Sequence, residues 1–95
     1  MTFAELHQAL RVFNLPERAS LKEIKARHRA LVKHCHPDSA QGGNGDRIRQ
    51  VNAAYGVLMA YCSRYRFCFS REEFFEQNPE ERLRQQFSQD PIWKG

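Results

Sequence analysis

Helix-start signals recur along the whole chain, and strand signals do not. Thr2-Phe-Ala-Glu5, Ser20-Leu-Lys-Glu23 and Ser70-Arg-Glu-Glu73 each place a hydroxyl three residues before a glutamate. At that spacing the hydroxyl accepts from a free backbone N–H of the first helical turn, and the carboxylate reaches back to the capping residue. Asn78-Pro-Glu-Glu81 adds an asparagine cap followed by proline, which suits a first helical position because it has no N–H to satisfy. Asp46 stands as a cap before another periodic run. Five such starts, with no stretch alternating apolar and polar residues, predict an all-α chain.

Apolar residues recur with helical period between these starts. Phe3, Leu6, Leu10 and Phe13 make one stripe, closed by Leu15-Pro16. Leu21, Ile24, His28, Leu31 and Cys35 make the inner face of a second helix. Pro37 ends it, since the residue before a proline is pushed out of helical geometry. Ile48, Val51, Tyr55, Leu58 and Cys62 line a third. Asn52 lies beside that stripe, where a buried amide needs a partner, expected to be nearby backbone. Short connections make successive helices antiparallel neighbours. The second and third helices should therefore form a hairpin with His36 to Gly45 at its tip, and the first should lie against it.

Charge is unevenly spread. Residues 1–70 carry eleven Lys or Arg against five Asp or Glu, a net +6, and residues 71–95 carry four against six, a net −2. Lys22, Lys25, Arg29 and Lys33 form their own stripe, about 120° around the second helix from its apolar face. A basic face of this kind suits an acidic partner, either nucleic acid or an acidic protein surface. Several other classes are disfavoured. No apolar run is long enough for a membrane span. Met-Thr-Phe-Ala-Glu lacks the basic-then-apolar pattern of a leader, so a cytoplasmic location is expected. Cys35, Cys62 and Cys68 are odd in number and lack a Cys-x-x-Cys pair, so they are expected as reduced, small apolar side chains. His28, His34, Cys35 and His36 crowd together in sequence but point in different directions, so no metal or other cofactor is expected. Pro37 holds His36 and Asp38 apart, and Cys35 belongs to the apolar stripe, so neither pair suits acid–base or nucleophilic catalysis, and the chain is not expected to be an enzyme.

Ile24-Lys-Ala-Arg-His-Arg-Ala-Leu-Val-Lys-His-Cys-His-Pro-Asp38 resembles the second helix and signature loop of a J domain, the defining module of DnaJ-type co-chaperones. Ile48-Arg-Gln-Val-Asn-Ala-Ala-Tyr-Gly-Val-Leu58 resembles that family's third helix, and Phe3 to Leu15 sits where it has its first. The resemblance implies a J domain over residues 1–66, and the helix starts at Ser70 and Asn78 imply an aromatic-rich helical extension over 67–95. It also implies a mechanism. The His36-Pro37-Asp38 loop would insert at the junction of the nucleotide and substrate domains of a DnaK-type heat-shock chaperone. The stripe Lys22, Lys25, Arg29 and Lys33 would steer the encounter, and the partner's ATP hydrolysis would be stimulated. Arg29 best matches the basic residue the family carries seven before its signature histidine. The chain departs from the family at His28 and Cys35, which stand where tyrosine is frequent, and at His34, which replaces a frequent Lys or Arg and makes part of the basic surface depend on pH.

Phe67, Phe69, Phe74, Phe75, Leu83, Phe87, Ile92 and Trp93 give the extension a dense apolar content. They are expected to fold back and thicken the small core, the other reading being a docking site for a client. Two alternatives stand beside the co-chaperone reading. One is a small basic nucleic-acid-binding helical module, although the basic helix lacks base-reading side chains at its start and no aromatic residue interleaves with its stripe. The other is an inactive J-like interaction or regulatory protein.

Overall fold

The computed structural model describes residues 1–35 and 45–89. Its helices are α1 (Phe3–Phe13), α2 (Leu21–His34), α3 (Gly45–Arg64), α4 (Arg71–Gln77) and α5 (Pro79–Gln89), and the described residues contain no strand. The fold is all-α, as the helix-start signals require. Its contacts gather into two compact units, Met1–Tyr65 and Arg66–Gly95.

In the first unit the caps act much as the spacing predicts. The Thr2 hydroxyl accepts from the Glu5 N–H at 3.1 Å. At α2 the exchange is reciprocal: the Glu23 N–H donates to the Ser20 hydroxyl at 3.1 Å, and the Ser20 N–H donates to the Glu23 carboxylate at 2.9 Å. Hydrogen bonding from Ser20 to the carboxylate, the backbone N–H first and the side chain second, holds the Glu23 carboxyl below its ordinary pKa. A depressed folded value means that the stabilisation is complete above the unfolded pKa and is lost as pH falls through the folded one. Ser20→Ala should cost about 1 kcal/mol in urea unfolding. Asp46 is not a cap; it lies inside the first turn of α3 and pairs with Arg49 at 3.4 Å.

The end of α1 comes before Pro16. Asn14 adopts the left-handed conformation, φ 53°, and the Leu15 N–H turns back to the Leu10 carbonyl at 3.1 Å. Asparagine tolerates this geometry better than most side chains, so the chain reverses there and proline only follows.

The core gathers Ala9, Val12 and Phe13 of α1, Ile24 of α2, and Val51, Ala54 and Leu58 of α3. Phe13 and Val51 are fully buried, at 0 % exposure. Packing is most extensive between α1 and α3, where Ala9 and Ala54 bring small side chains to the buried surface. Two ends of the anticipated stripes fall outside this core. Phe3 is 72 % exposed and rests on the His7 ring, with centroids 4.0 Å apart, and Leu21 is exposed at the start of α2.

The second unit is built differently. Ser70 caps α4 by accepting from the Glu73 N–H at 3.1 Å. Asn78 closes α4 instead of capping α5 with its side chain, since both its backbone N–H and its amide donate to the Phe74 carbonyl at 2.9 Å. Pro79 nevertheless takes the first position of α5. The Arg71 guanidinium lies over the Phe75 ring, 5.1 Å from its centroid. No side chain described in this unit is buried. Ile92 and Trp93 lie outside the described residues. Cys68 differs from the small apolar side chain expected. It is exposed and donates to the Ser70 hydroxyl at 3.2 Å, and hydrogen bonding with Ser70 holds its pKa below the ordinary thiol value.

Candidate functional site

The site is positioned by the pairing of α2 with α3. His28 precedes Cys35 by seven residues, and Asn52 follows Gly45 by seven. The two side chains meet, His28 Nε2 to Asn52 Oδ1, at 3.0 Å. Equal distances from the connection place the helices antiparallel and in register, which is the hairpin the sequence predicts. Asn52 is exposed and ties α3 to the α2 side chain instead of to backbone.

His28 does more than fill the space of a missing tyrosine. Its ring stacks on Tyr55 with centroids 3.8 Å apart and planes 4° from parallel. Phe13 lies parallel to both, 6.2 Å from His28 and 6.3 Å from Tyr55. One ring from each of the three helices therefore enters a single stack. A ring at position 28 keeps a flat apolar face for Tyr55, and its nitrogen supplies a hydrogen bond to Asn52.

This stack and the core below it fix the rotation of α2. Ile24 is buried inward, and Leu31 and Val32 pack against the core. Lys22, Lys25, Arg29 and Lys33 are consequently all exposed, and among the described residues none is held in an ion pair. His34, the last residue of α2, is exposed as well. Cys35 then caps the helix, buried, with its N–H donating to the Leu31 carbonyl at 2.9 Å. His36, Pro37 and Asp38 follow directly on this anchored residue and lie outside the described residues. Among the described residues, no group of three metal-ligating side chains comes together.

The sequence reading missed the three-ring stack. Its signal was present in the apolar positions 13, 28 and 55, but which rings touch is set by helix crossing, and that is not read from periodicity.

α2 and α3 form an antiparallel helical hairpin with a basic face on α2, and the His-Pro-Asp tripeptide lies between them in sequence. Residues 3–67 of the 95-residue chain match the DnaJ domain family. The chain belongs to that family, and is a J-domain protein of the co-chaperone type. A J domain implies a heat-shock chaperone as partner. Comparison with curated proteins and with solved structures gave no match. No helix among the described residues is long and apolar enough to cross a membrane.

Proposed function

We propose that this protein is a cytoplasmic co-chaperone that binds a DnaK-type chaperone and stimulates its ATPase, without bond chemistry of its own. His36, Pro37 and Asp38 make the specific contact, and Lys22, Lys25, Arg29 and Lys33 steer the approach. The 67–95 extension receives the client. The observation that carries this reading is the exposed basic stripe on α2, which leads to the end of the helix after which the His-Pro-Asp tripeptide follows in sequence. In this reading Asp38 accepts from a partner arginine, the strongest kind of hydrogen bond for a carboxylate. Pro37 limits the freedom of the bend, which lowers the ordering cost of binding. A single-turnover ATPase assay with the host's DnaK-type proteins tests it. Binding to duplex DNA with a steep salt dependence, with the ATPase left untouched, would sink it.

Replacing Lys25 and Arg29 together by alanine should slow association with the chaperone on the order of tenfold at low salt, because both act at long range. The penalty should shrink at high salt as the charges are screened. Stopped-flow association across a salt series measures this. Both residues are exposed, so the helical circular-dichroism signal should not change.

A further inference from the structure

We infer that Asn52, acting through His28, is a positioning residue for the contact with the chaperone: it holds α2 at the rotation about its own axis from which the basic stripe and the end of the helix are presented. This deepens the co-chaperone reading and rests on it for what the contact does. α2 is held by few buried groups. Ile24 is the only side chain buried within the helix, with Cys35 buried at its cap, and Leu31 and Val32 are half-buried. α3 buries no side chain before Val51. Asn52 is exposed, so what it contributes is its bond to His28 rather than burial. Its Oδ1 can only accept, so His28 Nε2–H donates across the 3.0 Å between them.

The ring stack does not by itself set a rotation. Parallel rings attract over a broad range of offsets, so the His28 ring on Tyr55, with planes 4° apart, leaves α2 some freedom to roll. A hydrogen bond is confined to about 2.7–3.2 Å and weakens steeply when bent. On a helix about 10–12 Å across, a roll of about 10° carries a side-chain tip about 1 Å. A displacement of that size along the bond breaks it and leaves the stack. Arg29 follows His28 directly, and Lys25 lies one turn before it, so the bond acts in the middle of the basic stripe. The two parts of the chaperone contact tolerate a roll differently. Steering by charge acts over roughly 8–10 Å, and a shift of about 1 Å changes it little. A contact that triggers hydrolysis depends on geometry at the level of about 1 Å. Loss of the bond therefore acts on the maximal stimulation and spares the encounter.

The test uses the full chain, first with a DnaK-type chaperone and then alone. Asn52→Leu keeps the size of the side chain and removes the acceptor. His28→Phe keeps a flat ring for Tyr55 and removes the donor. Each should lower maximal ATPase stimulation about threefold to tenfold, the rate equivalent of one lost hydrogen bond, with the half-saturating concentration within about twofold of the parent's. The double variant should lose no more than either single one, since both remove the same bond. Asn52→Asp keeps an acceptor oxygen at the same reach and should restore most of the stimulation. All are assayed at a temperature where their helical signal equals the parent's, so a merely structural role would move none of these values. Without the chaperone, amide hydrogen exchange over residues 31–35 should quicken about threefold to tenfold in Asn52→Leu and stay at the parent's rate in Asn52→Asp. Losses that add in the double variant, or that appear only in the half-saturating concentration, would make Asn52 a direct contact and overturn the inference. Full stimulation by Asn52→Leu, unchanged exchange, or an Asn52→Asp protein no better than Asn52→Leu overturns it as well. A parent that stimulates no chaperone removes the co-chaperone reading instead, and the exchange result alone then decides whether the bond holds α2.

Discussion

Phe13→Ala should leave the first unit largely unfolded at moderate temperature. Phe13 is fully buried and belongs to the ring stack that joins α1, α2 and α3. Truncating a buried phenylalanine to alanine costs about 3–5 kcal/mol, through lost apolar burial and the cavity left behind. A unit of this size has little in reserve, since marginal small domains hold on the order of 5 kcal/mol in all. Each kcal/mol moves the midpoint of a domain this small by about 4–8 °C, so the loss should exceed roughly 12 °C. Thermal melting followed by circular dichroism at 222 nm reads it. Tyr55→Ala should lower the midpoint less, because Tyr55 is only half-buried although it touches His28 more closely. If the two variants melt in the opposite order, the stack is held at Tyr55 and α1 is a lesser support.

The contrast between Phe13 and Tyr55 shows what periodicity conveys. Both belong to apolar stripes, and the stripes of α2 and α3 were legible because Ile24, His28 and Leu31 on one, and Val51, Tyr55 and Leu58 on the other, recur at three- and four-residue spacing. Helix starts were legible for a similar reason, since Ser20 and Glu23 act within a single turn and need no tertiary partner. What failed to read through depends on contacts between elements or on their absence. Phe3 continues the α1 stripe by spacing, yet it is exposed and rests on His7 of its own helix. Ala9 and Val12 join the core because α3 approaches closely there, and neither is conspicuous as a hydrophobe. In the extension, Phe69 and Phe74 look like core residues by type, yet both are exposed. Asn78 carries an N-cap signal, yet its side chain closes α4 instead. Of the site, the basic stripe was fully legible, because a charged face opposite an apolar one follows from the helical period alone. The His28–Asn52 bond was not, since it joins positions 24 apart in sequence.

His36→Gln should reduce stimulation of the chaperone's ATPase to the basal rate while the melting temperature stays within a degree or two of the parent, the second largest effect expected and one of a different kind. The core is made by side chains of α1, α2 and α3, with Cys35 buried at the end of α2. A change at the next position removes none of these contacts. Glutamine keeps a polar side chain of similar reach, but it cannot carry a charge, and its amide sits where the planar imidazole ring would be. Under the proposed function the loss is therefore one of specific contact, and it should differ from that of the basic stripe in how it responds to conditions. Replacing Lys25 and Arg29 slows the encounter, so excess protein should restore much of the stimulation, and high salt should bring the parent down towards the variant. His36→Gln should be rescued by neither. Comparing the two variants across a concentration series at low and at high salt separates steering from contact. A His36→Gln protein that stimulates fully at saturating concentration would show that the tripeptide adds affinity only, and that the step triggering hydrolysis lies elsewhere on the J domain.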